Sequence, residues 1–94
     1  MLLGNGVCPV PRLRSEGITI ALGTDGAASN DNQDMFGVIK TTGLLHKVNT
    51  MDPTVITARD VLTMATIDGA RALGIDSEVG SLEAGKRADV DLLD

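Results

Sequence analysis

The spacing of apolar residues changes along the chain, and each change predicts a different element. From Ile18 to Leu22 they alternate, with Ile18, Ile20 and Leu22 on one face and Thr19 and Ala21 on the other. That is the period of a β-strand. Carried through Gly23, the alternation puts Asp25 on the small-residue face at the strand's carboxyl end. From Met35 the spacing turns helical, with Met35, Val38, Ile39, Thr42 and Leu45 on one face. Gly37 and Gly43 each weaken such a helix by roughly 1 kcal/mol relative to Ala, so it needs tertiary packing to persist. Ala58, Val61, Leu62 and Ala65 mark a further helix, with Thr57 and Asp60 as its capping box. Thr66–Gly69 interrupts it, and Asp68 can cap a short helix, Gly69–Leu73, that Gly74 ends. Ala88–Leu93 alternates again, Val90 and Leu92 against Asp89, Asp91 and Leu93. This second strand has no partner in the chain beyond Gly80–Leu82, and two-stranded units are marginal in water. Ahead of everything lies an aperiodic loop, Met1–Pro11, and a short helix around Val10, Leu13 and Arg14, opened by Pro11 and closed by Gly17.

The chemistry concentrates in Ile18–Asp34, ITIALGTDGAASNDNQD. Asp25-Gly26 is a common hairpin pair when strands flank it on both sides. Here the following residues, Ala27–Asp34, are small and polar and lead into a helix, so a strand–loop–helix unit fits better. Asn30 or Asp31 can cap that helix through a side-chain oxygen. Parallel α/β folds keep their ligands beyond the carboxyl ends of the strands, where Asp25 sits. A calcium loop wants glycine at its sixth position, and counting from Asp31 that residue is Phe36. The acidic run therefore reads as a helix entry.

Composition narrows the class. The chain has 94 residues, 43% of them hydrophobic, one Phe and no Tyr or Trp. A core must come from aliphatic residues and Met. A net charge of −5 with no basic stripe argues against a nucleic-acid partner. No apolar run is long enough to span a membrane, and Met1-Leu2-Leu3 is too short to serve as a signal peptide. The lone Cys8 cannot form an internal disulfide and points to a reducing, cytoplasmic setting. It reads as a small packed residue rather than a nucleophile. The lone His46, late in its helix and followed by Lys47, reads as a surface cation near a helix C-terminus. One histidine does not make a zinc site.

Three segments in order are distinctive: ALGTDGAASNDNQDMF, TARDVLTMATIDGARALG and VGSLEAGKRADVDLLD. Together they resemble the C-terminal part of the amidohydrolase superfamily, in the branch of the methylthioadenosine/S-adenosylhomocysteine deaminases and s-triazine chlorohydrolases. The resemblance covers nearly the whole chain. It implies an α/β fold: the C-terminal end of a metal-dependent (β/α)8 TIM barrel, with its last strand and helices in 1–76. A strand or two of an adjoining small β-sandwich domain would follow in 77–94. It makes Ile18–Leu22 the eighth barrel strand. Asp25 matches the aspartate that binds one divalent metal, zinc first and iron second, and acts as base toward the attacking water. A bound divalent ion brings the pKa of water to about 7, so a neighbouring carboxylate can relay its proton. Ser29 and Asn30 match positions bordering the substrate pocket, as do Asn5 and Gly6 from the loop after the seventh strand.

The departures matter as much. The family needs an HxH pair, two further histidines and an acidic proton donor, and His46 is the one histidine here. A full barrel takes about 250 residues. Met1-Leu2-Leu3-Gly4 departs from the family's polar SNxKLA-type start, and Asp91 puts a charge where a buried apolar residue is usual. The expectation is a C-terminal part of a hydrolase acting on an amino-substituted nitrogen heterocycle, an adenosine-type nucleoside first. An s-triazine chlorohydrolase or a guanine- or cytosine-type aminohydrolase comes second. The isolated chain should be inactive, because the other metal ligands are missing. A different class of reading is a non-catalytic structural module whose exposed faces pair between copies. A weaker one is simple cation binding by the Asp-rich loop. The expected partners are a small heterocyclic substrate and either further copies or the missing N-terminal barrel segment.

Overall fold

Local capping chemistry sets most of the helix boundaries. The computed structural model describes residues 3–30 and 32–93. Among the described residues there are five helices in this order: α1 (Val10–Ser15), α2 (Ala27–Asn30), α3 (Met35–Thr50), α4 (Ala58–Ala65) and α5 (Ile67–Leu73). α1 has proline in its first turn, and Gly17 just beyond it takes φ of 78°, a left-handed conformation that glycine adopts without steric cost. The cap of α3 is Asp34, whose side chain accepts from the Phe36 N–H at 2.9 Å. Asn30 belongs instead to the four-residue α2, and Asp31 lies outside the described residues. The capping box of α4 forms as its sequence predicts. Thr57 Oγ1 accepts from the Asp60 N–H at 3.2 Å, and Asp60 Oδ2 accepts from the Thr57 N–H at 2.8 Å. α4 breaks at Thr66, and α5 starts at Ile67, two residues before the predicted start. Asp68 therefore sits in its first turn, paired with Arg71 at 2.9 Å, rather than at the cap. Gly74 ends α5 in a left-handed conformation.

The helices pack in series, α3 on α4 and α4 on α5. The core is small: Val10, Ile56, Val61 and Met64, with Ile20, Leu22, Ile39 and Val55 packed against it. All five residues of the predicted α3 face are half-buried. The face of α4 needs correction. Met64 takes the inner position, and Leu62 is 54% exposed. Gly43 lets α3 approach α4, since a Cβ there would lie 3.8 Å from Val61 Cγ2. Arg14 Nη2 reaches Asp60 Oδ1 at 2.8 Å and ties α1 to the cap of α4.

No segment among the described residues forms a strand, so neither strand expectation is confirmed in this chain. The reason differs between them. In 19–25, Ile20, Leu22 and Thr24 are half-buried and Thr19, Ala21, Gly23 and Asp25 are exposed, so the two-residue period is present there, while Ile18, expected on the same face as Ile20 and Leu22, is 50% exposed. A strand is defined by ladder partners, and the described residues bring none to this segment. The tail 88–93 lacks even the alternation. Val90, Leu92 and Leu93 are 52%, 95% and 69% exposed. What holds the tail is a close approach further back. Gly80, at φ of 92°, lies so near α5 that a Cβ would sit 2.8 Å from Ala70 Cβ. A backbone bond from Arg87 N–H to the Glu78 carbonyl at 2.8 Å closes the loop that follows.

Candidate functional site

Asp25 ends the alternating segment and adopts φ of 62°. Aspartate tolerates this left-handed region better than most residues because its short side chain bonds locally. Here Asp25 Oδ1 accepts from the Gly26 N–H at 2.7 Å. The chain then reverses into α2, whose turn closes on the Gly26 carbonyl, the acceptor for the Ser29 and Asn30 N–H groups at 2.9 and 3.1 Å. Asn30 Nδ2 donates to the Thr24 carbonyl at 2.6 Å. The loop is thus braced by its own polar atoms, and the Asp25 side chain stays exposed.

All five predicted site residues line one open hollow of about 590 Å³: Asn5, Gly6, Asp25, Ser29 and Asn30. Asn30 also serves the loop through the Thr24 bond, so its amide nitrogen is already engaged. Cys8 lines the same hollow and is exposed, which corrects its reading as a packed residue.

His46 is the larger correction. It is 4% exposed, not a surface cation, and it too lines the hollow. Its Nδ1 is buried with no hydrogen-bond partner among the described residues. Burial pushes its pKa below the ordinary value, so the neutral imidazole is favoured. The sequence carried a signal for this: Ile39, Thr42 and His46 follow a 3,4 spacing on one helical face. Eleven residues separate Met35 from His46, about 17 Å along the helix axis at 1.5 Å per residue. His46 therefore lies far down α3 from the helix end that adjoins the Asp25 loop.

Among the described residues, no three His, Cys, Asp or Glu side chains stand close enough to hold a metal. Asp25 is one hard oxygen donor, which suits a corner of a divalent-cation site and does not complete one.

A second hollow, of about 930 Å³, lies among Phe36, Ile39, Leu62, Leu73, Leu82 and Val90. Ala21 and Leu22 border both hollows.

Comparison with known proteins adds what the geometry alone does not carry. The model of the amidohydrolase family matches residues 1–94. The chain is 52% identical over 92 residues to a 5-methylthioadenosine/S-adenosylhomocysteine deaminase of Moorella thermoacetica, covering 98% of this chain and 22% of that one. It is 56% identical over 93 residues to a 5'-deoxyadenosine deaminase of Methanothermobacter thermautotrophicus, covering 99% and 21% respectively. Its fold superposes with a TM-score of 0.88 and 44% identity on the crystal structure of an adenosine deaminase from Xanthomonas campestris with bound zinc. That match covers 93% of this chain and 20% of the other. The chain thus spans about a fifth of the length of the relatives it matches. With its whole length matched by the family model and its backbone superposing closely on a zinc-bearing relative, this chain belongs to the amidohydrolase family.

Proposed function

We propose that this chain is the C-terminal part of a metal-dependent deaminase that replaces the amino group of an adenosine-type heterocycle with oxygen, releasing ammonia. Asp25 carries the reading. It stands exposed at the end of an alternately buried segment, on a hollow shared with Ser29, Asn30, Asn5 and Gly6. The deaminase names of its relatives favour ammonia over chloride as the leaving group. In this reading 1–76 closes a barrel and 77–94 joins a smaller domain. Asp25 contributes one carboxylate to a zinc whose other ligands come from outside this chain. A divalent ion held there supplies a water acidic enough to attack at neutral pH, with a pKa of about 7. Asp25 takes the proton from the attacking water and can return it to the leaving amine. Ser29, Asn5 and the Gly6 backbone offer polar groups to the substrate from the rim. The lone exposed thiol of Cys8 agrees with a reducing, cytoplasmic setting. No helix among the described residues is long and apolar enough to cross a membrane.

The test uses a full-length chimera: the Moorella thermoacetica relative with its matched C-terminal residues replaced by this chain. Asp25→Asn should keep the fold, lower bound zinc as read by elemental analysis, and cut turnover of 5'-deoxyadenosine by about 10²-fold or more. Turnover that survives Asp25→Ala removes Asp25 from the chemistry.

A further inference from the structure

Asp25 keeps a backbone conformation that side chains rarely adopt, and one residue grips it from both sides. Its φ of 62° lies in the left-handed region, which persists in a non-glycine residue only where the surroundings hold it. The two torsions of Asp25 turn the peptide plane before it against the plane after it, so fixing both planes fixes the residue. The plane before it carries the Thr24 carbonyl, which accepts from Asn30 Nδ2 at 2.6 Å. The plane after it carries the Asp25 carbonyl and the Gly26 N–H. Thr24 Oγ1 donates to that carbonyl at 3.2 Å, and Asp25 Oδ1 accepts from that N–H at 2.7 Å. One residue further on, the Gly26 carbonyl accepts from the Asn30 N–H at 3.1 Å. Asn30 thus holds a carbonyl on either side of Asp25, one through its side chain and one through its backbone.

Local structure and chemistry both fit asparagine at this position. The single turn of α2 brings Asn30 back to Thr24, six residues earlier in the chain. Asn30 and Thr24 are half-buried, whereas Asp25 and Gly26 are exposed. Water therefore competes less for the Asn30–Thr24 bond than for the other bonds of the turn. An amide donates a hydrogen bond and carries no charge. Lysine or arginine would bring a positive charge into the loop that offers a carboxylate to a cation. Aspartate would turn an acceptor toward the Thr24 carbonyl, which is itself an acceptor. Of the Asp25 carboxylate, Oδ1 is taken by Gly26, and Oδ2 has no hydrogen bond among the described residues.

We propose that Asn30 is a positioning residue for Asp25 and not a substrate contact. It locks the turn 24–26 so that Asp25 presents Oδ2 to the metal in one orientation. This rests on reading the chain as part of a metal-dependent deaminase. Groups that orient a metal ligand commonly account for about 10–100-fold in metal affinity or activity. Asn30 acts through the backbone that carries the ligand, so its loss should appear in the metal site and in the rate, and not in substrate affinity.

The full-length chimera tests this with Asn30→Asp, Asn30→Ala and Asn30→Gln, all of which keep the backbone N–H. Cobalt(II) is loaded in place of zinc, because its visible absorption reports the geometry of its ligands. Asn30→Asp and Asn30→Ala should weaken cobalt binding by about tenfold or more and shift the visible bands. They should lower kcat for 5'-deoxyadenosine by about 10–100-fold and leave KM within about threefold. Asn30→Gln keeps a neutral amide donor and should recover part of both losses. Melting temperature is read alongside, and where Asn30→Ala melts early the contrast between Asn30→Asp and Asn30→Gln decides. A raised KM with cobalt affinity and spectrum unchanged means that Asn30 meets the substrate itself, and overturns the proposal. Variants that match the unmodified chimera in cobalt binding, spectrum and kcat overturn it too. An unmodified chimera that binds cobalt and turns over no 5'-deoxyadenosine removes the proposed activity, and the cobalt spectra of the variants still decide on Asn30.

Discussion

At the scale of single residues, Asp60 does three jobs with one carboxylate. It closes the capping box of α4 by accepting from the Thr57 N–H, accepts from the Thr57 hydroxyl and pairs with Arg14. The Arg14 guanidinium, followed by the Thr57 hydroxyl and N–H, holds its pKa far below the usual carboxylate range. The ionised form is therefore preferred in the folded chain. Its stabilising contribution is fully present above about pH 4, the unfolded value, and is lost as pH falls from there toward the folded pKa. Asp60→Asn should lower the melting temperature at pH 7, and the gap to the unmodified protein should close below about pH 4. Thr57→Ala should cost about 1 kcal/mol through the lost cap. The ion pair itself is partly solvated and adds less than about 1 kcal/mol. His46 shifts for another reason, desolvation alone. Stability should therefore fall as pH drops below about 6.5, where the unfolded chain takes up a proton that the buried ring resists. A ring-proton NMR titration with its midpoint below the ordinary histidine value checks this.

At the scale of elements, the contrast lies between helices, which carry their own hydrogen bonds, and strands, which do not. The capping box at Thr57–Asp60, the proline that opens α1 and the glycine that ends α5 depend on neighbours a few residues away. Short-range spacing alone makes them legible in the sequence. The breadth of each buried face is less legible. Leu62 and Met64 exchange roles because α4 meets α3 and α5 together. Met64→Ala should cost about 2–5 kcal/mol in a core this small, read as a fall in denaturation midpoint. Leu62→Ala should cost much less, since Leu62 is 54% exposed. Gly80→Ala meets two penalties at once, a left-handed backbone and a Cβ inside contact distance of Ala70 and Ile67. It should destabilise by about 1–3 kcal/mol and loosen the tail, which proteolysis after Lys86 or Arg87 would report.

At the scale of the whole molecule, the chain is open. Its radius of gyration is 14.2 Å, against about 12.4 Å for a compact domain of this length. Its core rests on four buried residues. The isolated chain should therefore unfold with low cooperativity and bind an apolar dye such as ANS. The full-length chimera should do neither. The isolated chain with added zinc should show no turnover of 5'-deoxyadenosine, since one carboxylate does not hold the ion.

The sequence by itself determined four of the helices, the capping box of α4, the glycine end of α5, the family and the place of Asp25 after an alternating segment, because each of these rests on local spacing and short-range bonds. It missed α2, the Asp34 cap of α3 and the start of α5. Tertiary structure decided what spacing leaves open. It buried His46, left Cys8 and the tail exposed, and gathered Asn5, Gly6, Asp25, Ser29 and Asn30 around one hollow. It also left Ile18–Leu22 without a ladder, since strand pairing is a contact between distant segments. No periodicity within one strand can say whether its neighbours are present.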